Sequence, residues 1–386
     1  MRKYVILRKT GAVRGGGGAS GVRETVSSKT SLFGFERLTD RAAASMAREP
    51  EVRAVAPVMS TRLIKPLDAG GADLNDVWGL DAVGARSSAF TGAGVTVAVL
   101  DTGIDADHSA FENVDLEQRD FSGDGDGDRQ GHGTHCAGTI FGRDVGGVRI
   151  GVATGVKRAL IGKVLGDAGG GDTQMLVEGI QWAVSSGANI ISMSLGFDFP
   201  GMVDDWIKDN WPPDLATSNA LEAYRVNLRV LDAVMDLTKA RGGLGGGALV
   251  VAASGNESLR DRHPEWRIAA SLPAAAQDVI SVAAVARSDD ELRVADFSNS
   301  MAVVSGPGVG IVSARSGGGL AALSGTSMAC PHVAGLAALW CEAIRKDSRT
   351  PTPTNVGAKL ISSARRDVFG DEGIEVDIGQ GLAIAP

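Results

Sequence analysis

The chain has 386 residues, a formal net charge of −8 and 44% hydrophobic residues. This length suits one domain with a sizeable core and a smaller second domain. No apolar run approaches the about 18 residues of a membrane span, and the 53 glycines follow no collagen-like period. Three cysteines cannot form a disulfide framework, and the N-terminal apolar run is too short for a signal peptide. These features exclude a membrane or fibrous protein and predict a cytoplasmic one, or a secreted one if a leader has been removed.

The charge is distributed unevenly along the chain. Residues 1–66 contain 13 Lys and Arg against 5 Asp and Glu, a net charge of +8, so residues 67–386 must carry −16. A basic segment can be a nucleic-acid tail or can dock on an acidic body. The basic residues alternate with apolar positions and are not clustered. We therefore expect internal docking and no nucleic-acid partner.

Residues 1–66 have the pattern of a small α+β domain. Lys3–Arg8 is a predicted strand, Phe35–Pro50 a predicted helix that ends at its proline, and Val52–Ile64 a second strand. A linker over residues 67–75 follows, and a larger domain over residues 76–386.

Strands and helices alternate through this larger domain. The predicted strands are Gly94–Gly103, Arg158–Gly166, Ala188–Gly196, Gly247–Asn256 and Asp278–Val285. One predicted helix starts at His132, and three others span Asp172–Gly187, Thr217–Gly243 and Thr326–Ile344. Alternation predicts an α/β fold with a mostly parallel sheet, whose functional residues gather where strands end.

Three motifs place polar residues at such ends. VLDTGID puts Asp101 at a strand end, GHGTH puts His132 at a helix start, and SGTSMACPH puts Ser327 at another helix start. Each alone is compatible with a structural role, such as a helix cap. Their combination, in the order Asp, His, Ser, matches a known arrangement of acid, base and nucleophile. A serine hydroxyl needs an adjacent base, and a carboxylate orients that base.

From about residue 76 to the C-terminus the chain resembles the subtilisin-like serine proteases, the subtilase family (peptidase S8). DTGID, GHGTHCAGT and GTSMACPHVAG each match a family signature, and KVLG, MSLG and AASGNE fall in the expected order between them. The resemblance implies a three-layer subtilisin-like fold with a mostly parallel central sheet and helices on both faces. It also implies a serine endopeptidase that needs no cofactor for its chemistry and acts on protein or peptide substrates through an acyl-enzyme.

The resemblance implies further site residues. Asn256 would stabilise the oxyanion together with the backbone N–H of Ser327. The substrate would lie as an added strand between two edges, next to a pocket for the residue before the cut. The residues implied are Ser194, Leu195, Gly196, Gly169, Gly170, Gly171, Ala253, Ser254, Gly255 and Ser271. Their small, uncharged side chains predict an apolar or broad preference.

Residues 1–66 resemble the family's prodomain. Such a segment assists folding and blocks the cleft with its C-terminal tail, so the resemblance implies an intramolecular inhibitor and a zymogen cut near Ile64–Gly70. The stretch 198–216 exceeds an ordinary connection and looks inserted. It could gate the cleft or determine specificity, or it could be a surface elaboration.

The loop before His132 raises a separate question. Asp124, Asp126 and Asp128 alternate with glycines, as in loops that bind hard cations, so we predict a possible structural calcium site. A solvated acidic turn is the alternative, and the EF-hand pattern is not met. His135 and Cys136 are interpreted as structural neighbours of His132.

Two other functions stay open from the sequence. An inactive subtilase fold could serve as a binding scaffold. A transpeptidase or macrocyclase would use the same acyl-enzyme.

Overall fold

The computed structural model describes residues 1–9, 33–68, 71, 73–240, 247–288, 291–370 and 374–386. Part of the predicted linker therefore lies outside the described residues. The helices are α1 (Asp40–Met46), α2 (Trp78–Ala82), α3 (His132–Phe141), α4 (Thr173–Ser185), α5 (Phe199–Lys208), α6 (Pro213–Ala240), α7 (Thr326–Lys346), α8 (Pro353–Ser362) and α9 (Glu375–Ile378).

The strands are β1 (Arg2–Arg8), β2 (Phe33–Leu38), β3 (Val52–Pro57), β4 (Ser60–Leu63), β5 (Leu67–Asp68), β6 (Thr96–Asp101), β7 (Asp115–Asp120), β8 (Arg158–Lys163), β9 (Gly170–Asp172), β10 (Ile190–Met193), β11 (Leu195–Phe197), β12 (Leu249–Ala253), β13 (Val279–Ser288), β14 (Glu291–Val294), β15 (Val304–Pro307), β16 (Ile311–Ala314) and β17 (Leu320–Ser324). They belong to two units, which are described separately.

The first unit comprises Met1–Met59 and Phe199–Val230. Its antiparallel sheet has the order β2-β1-β3, and the central strand β1 buries Val5, Ile6 and Leu7 completely. Within this unit Arg2 forms an ion pair with Asp209 (3.7 Å), and its guanidinium carbon lies 4.4 Å from the centroid of the Trp206 ring. Within the predicted insertion, α5 and the beginning of α6 are helical, and residues 199–216 share a unit with the N-terminal segment.

Two predicted elements of the N-terminal segment are wrong. The predicted helix Phe35–Pro50 is a strand, β2, followed by the short helix α1, because FGFERL pairs with β1 and Thr39 caps the helix with its side chain. The predicted strand Val52–Ile64 is two strands, and β3 and β4 belong to different sheets.

The second unit comprises Ser60–Asp198 and Leu231–Pro386. Its main sheet has the order β14-β13-β12-β10-β6-β8-β7, with β15 also paired to β13. All of these pairs are parallel except β13–β14. The inner strands read as continuous apolar runs because both of their faces are buried. The predicted α/β fold with a mostly parallel sheet is confirmed.

Helices pack against this sheet on opposite sides of β6. Val99 belongs to the core cluster that contains the apolar residues of α3 and α7. The adjacent Leu100 points the other way, and a Cβ added to Gly179 of α4 would lie 3.6 Å from it. Since neighbouring residues of a strand point to opposite faces, α4 covers the face away from α3 and α7.

Helix α7 is the one described helix long and apolar enough to span a membrane by length and composition. Its most apolar window is 89% buried inside the protein, as in the central helix of a folded domain. The helix begins at Thr326, α3 begins at His132, and β6 ends at Asp101. The fold therefore brings the three motifs to one edge of the sheet.

Candidate active site

Asp101 and His132 form a buried hydrogen-bonded pair. His132 Nδ1 lies 2.7 Å from Asp101 Oδ1, and each residue is only 1% exposed. The same oxygen accepts from the backbone N–H of Thr102 at 2.8 Å. Because a carboxylate can only accept, Nδ1 carries the proton and the lone pair of the imidazole is on Nε2. His132 Nε2 has no hydrogen-bond partner within the part of the chain that the structure describes.

Asp128 holds the start of α3, and with it His132, in place. Its Oδ1 accepts from Thr102 Oγ1 (2.8 Å) and from the backbone N–H of Gly131 (2.7 Å). Its Oδ2 accepts from the backbone N–H and the hydroxyl of Thr134, at 2.8 and 2.6 Å. Thr102 follows Asp101 and Thr134 follows His132, so this one carboxylate links the two segments that carry the pair.

The structure does not bring the three aspartates of the predicted calcium site together. Both oxygens of Asp128 face its own network, and Asp124 Oδ2 accepts from the backbone N–H of Asp167 at 2.8 Å. Asp126 is exposed. The one described group of three or more metal-binding side chains with converging ligand atoms is Asp101, His132 and Cys136. The loop is shaped instead by Asp120, whose carboxylate accepts from Ser122, Gly123 and Gly125.

Ser327 lies at the N-terminal end of α7 and is fully buried. Its hydroxyl donates to Ile64 O at 3.3 Å and to Ser194 O at 3.5 Å, and the structure gives no hydrogen bond from it to His132. Cys136, one turn after His132 on α3, donates its thiol to Ser327 O at 3.4 Å and lies 3.8 Å from His132 Nδ1. The serine and the Asp101–His132 pair therefore share one buried cluster.

Asn256 is oriented by the residue before Ser327. Its Oδ1 accepts from both the backbone N–H and the hydroxyl of Thr326, each at 2.9 Å. The amide Nδ2 is thereby turned outward and donates to Lys65 O at 3.1 Å. Gly255 precedes Asn256 with a φ of +117°, a conformation that other residues rarely adopt. A preorganised donor thus faces a carbonyl group of the chain itself.

The two predicted substrate-binding edges hold a segment of this chain between them. Strand β4 pairs antiparallel with β11 on one side, where Arg62 lies opposite Gly196, and with β9 on the other, where Arg62 lies opposite Gly170. Leu63 N–H donates to Gly169 O at 2.8 Å. Thr61, opposite Gly171, is 2% exposed, and Leu195 of β11 is fully buried.

Ile64 is buried (3% exposed) at the predicted pocket. A Cβ added to Gly196 would lie 3.5 Å from Ile64 Cγ1 and 3.2 Å from Ser271 Oγ, so Gly196 packs directly between these two side chains. Ser271 N–H donates to Ser254 O at 3.2 Å. Ala253 ends β12 and is also buried. The Ile64 side chain therefore lies against Gly196, whose other neighbour is Ser271 of the predicted pocket.

Buried groups around the site have strongly shifted pKa values. Burial lowers the pKa of His135 to about 3 and that of His332 to about 4. Burial also raises the pKa of the Cys136 thiol well above its usual value and that of Cys330 to about 11. His135 Nε2 is bonded to Ile311 O at 3.0 Å and His332 Nδ1 to Met328 O at 2.8 Å. Both histidines are neutral structural groups at neutral pH.

Sequence reasoning missed the residues that hold the site residues in place. Thr102, Thr134 and Thr326 each follow or precede a motif residue and lie within the quoted motifs, yet only their tertiary partners reveal their roles. Glu257, next to Asn256, was also unassigned. It is the last residue of the quoted motif AASGNE, and this position was the signal that could have drawn attention to it.

Comparisons with known proteins agree with this geometry. A profile of the subtilase family, peptidase family S8, matches residues 92–381. The subtilisin-like protease 6 of Trichophyton soudanense is 34% identical over 283 residues, 68% of this chain and 57% of that protein. The cuticle-degrading serine protease of Arthrobotrys oligospora is 33% identical over 312 residues, 75% of this chain and 64% of that protein.

The subtilisin-like protease 1 of Arthroderma gypseum is 32% identical over 319 residues, 78% of this chain and 55% of that protein. The matched region thus spans between 55% and 64% of these three relatives. The matches give no support to the cytoplasmic location expected from the N-terminus, whereas a secreted location is compatible with them.

We predict that Asp128→Asn destabilises the second unit. The side-chain nitrogen of asparagine cannot accept a hydrogen bond from Thr134, so the buried backbone N–H of Thr134 would lose its partner. The expected loss is about 1–3 kcal/mol in the free energy of unfolding. Urea denaturation in a Ser327→Ala background measures it. The matched control, Asp126→Asn, removes an exposed charge and should change little. EDTA should leave the wild-type midpoint unchanged, whereas a fall in that midpoint would indicate calcium in the loop.

We predict that stability falls as the pH decreases from about 6.5 towards 4. The unfolded chain protonates both buried histidines near pH 6.5, while the folded chain keeps them neutral until about pH 4 for His332 and 3 for His135. Each histidine should therefore lower the free energy of unfolding at pH 5 by about 2 kcal/mol relative to pH 7. Urea midpoints at the two pH values test this. His332→Gln should shrink the difference by its own share, and an unchanged difference would contradict the assignment.

Proposed function

The chain belongs to the subtilase family, and on this premise we propose that it is a serine endopeptidase that hydrolyses peptide bonds of protein or peptide substrates. The observation that carries the proposal is the juxtaposition of the Asp101–His132 pair with Ser327 and a chain segment held as a substrate would be. Asp101, His132, Ser327 and Asn256 are the proposed catalytic residues. No cofactor enters the proposed chemistry.

The first step acylates Ser327. Its hydroxyl turns from Ile64 O to His132 Nε2, which takes the proton as Oγ attacks the carbonyl carbon. Asp101 keeps the proton on Nδ1 and stabilises the imidazolium. Asn256 Nδ2 and the backbone N–H of Ser327, at the positive end of α7, donate to the oxyanion. The C–N bond then breaks, and the imidazolium gives its proton to the leaving amine.

The second step regenerates the enzyme. A water molecule loses its proton to His132 and attacks the ester carbonyl, and the same donors stabilise the second oxyanion. The bond to Ser327 Oγ breaks and the hydroxyl regains its proton. A transpeptidase or macrocyclase would differ only in using an amine in place of water, and an inactive scaffold would carry out neither step. Mass spectrometry of peptide products distinguishes hydrolysis from ligation.

The protein is proposed to be a zymogen whose N-terminal segment, ending in the tail Ser60–Lys65, inhibits it. Three contacts support this. Strand β4 pairs with both edges of the cleft, Ile64 is buried against Gly196, and Asn256 donates to Lys65 O. The nucleophile lies at Ile64 O, and Ile64 is buried while Lys65 is exposed. The position of Ser327 at Ile64 O and the burial of Ile64 favour self-cleavage of the Ile64–Lys65 bond, for which Asn256 Nδ2 must turn from Lys65 O to Ile64 O.

We predict that the wild-type protein cuts itself after Ile64 and that Ser327→Ala remains a single chain, because only Ser327 can form the acyl-enzyme. Intact-mass measurement and N-terminal sequencing detect the cut. A fluorophosphonate probe should then label the processed protein at Ser327. The variant Ser362→Ala, at an exposed serine on α8, should process and react normally. Absence of labelling after residues 1–64 have been removed would contradict the proposed function.

A further inference from the structure

Arg62 occupies the middle of the strand that fills the cleft. Its backbone lies between two glycines, Gly196 of β11 and Gly170 of β9, so no neighbouring side chain covers it from either edge. Its guanidinium group reaches two carboxylates instead. Nη1 lies 3.0 Å from Asp198 Oδ1, and Nη2 lies 3.5 Å from Glu257 Oε1. The two nitrogens of one planar group thus contact two different acids.

Both acids are held in place by the walls of the cleft. Asp198 directly follows β11, and its backbone N–H donates to Ser60 O at 3.0 Å, so it extends the edge that pairs with the strand. Glu257 directly follows Asn256. Its Oε2 accepts from Asn299 Nδ2 at 2.7 Å, and its backbone N–H donates to Asn299 Oδ1 at 3.1 Å. Asn299 therefore anchors Glu257 and leaves Oε1 to Arg62.

We propose that Asp198 and Glu257 form an acidic clamp that selects a basic residue in substrates. The selected residue stands two positions before the residue whose carbonyl is attacked, as Arg62 stands before Ile64. Substrates with arginine there, followed by two apolar residues as in Arg62-Leu63-Ile64, would be preferred. This inference rests on the proposed function, because it assumes that a substrate binds in the cleft as the tail Ser60–Lys65 does.

The expected strength of the preference for arginine follows from the solvent exposure of the three charged side chains. The side chains of Arg62, Asp198 and Glu257 are 42%, 25% and 35% exposed, so each ion pair is screened by solvent and salt. Two such pairs at one guanidinium should together favour arginine about fivefold in kcat/KM. Lysine should benefit less, because a single ammonium group cannot span two carboxylates as the forked guanidinium does.

The test compares two peptides on the processed enzyme. One carries the sequence of residues 60–66, and the other replaces its arginine with citrulline, which keeps the shape and removes the charge. The wild type should cleave the arginine peptide about fivefold faster in kcat/KM, and less so at high ionic strength. The preference should disappear in the double variant Asp198→Asn, Glu257→Gln. It should persist in Glu265→Gln, a control at an exposed acid. Equal rates for both peptides in the wild type would overturn the clamp.

A second measurement is independent of catalysis. In the full-length Ser327→Ala protein, hydrogen exchange of the Leu63 amide reports how firmly the strand is held. Arg62→Gln and the double variant should each reduce protection about fivefold, and their combination should reduce it no further, because both remove the same contacts. Additive losses would overturn the clamp. If the wild type cleaves neither peptide, the proposed function fails, while the exchange data still decide the clamp.

Discussion

The site depends on the hydrogen bonds that the buried carboxylate of Asp101 accepts in place of water, both of them at Oδ1, because Oδ2 has no partner within the described residues. Asp101 ends the strand β6 at 1% exposure, where water cannot solvate it, and it is paired with His132 and the backbone of Thr102. His132 must therefore start its helix at a defined point. A second buried carboxylate, Asp128, fixes that point by tying Thr102 to Thr134. The parallel sheet supplies the edge at which these short-range bonds can form.

The two edges of the cleft hold a strand through backbone hydrogen bonds. These bonds do not depend on side chains, so specificity must have a second source. Strand β4 pairs with both edges through main-chain hydrogen bonds, as any extended peptide can. Selectivity must then come from places where side chains meet. Ile64 is buried against Gly196, and Arg62 reaches the two acids of the clamp. Under the proposed function, an aliphatic residue before the cut and a basic residue two positions earlier together define a substrate more narrowly than either feature alone.

Much of the second unit could be predicted from the sequence, because its signals are local. The continuous apolar run of β6 and the positions of His132 and Ser327 at helix starts are readable from neighbouring residues, and the structure places the elements accordingly. The role of Asp128 was not readable, since its partner Thr102 is 26 residues away. An alternation of Asp and Gly suits a calcium loop and an internally bonded loop equally well. The division of residues 52–64 into β3 and β4 depends on partner strands from different units of the chain.

Under the proposed function, Asp101 keeps the proton of His132 on Nδ1 and leaves Nε2 free to accept the proton of Ser327. The nitrogen chemical shifts of the imidazole, measured by NMR on the full-length Ser327→Ala protein at neutral pH, distinguish the two tautomers directly. We expect a protonated Nδ1 and a bare Nε2, and we expect Asp101→Asn to abolish this bias. A proton on Nε2 with a bare Nδ1 in the protein with Asp101 intact would contradict this expectation, because such a histidine could not act as the base.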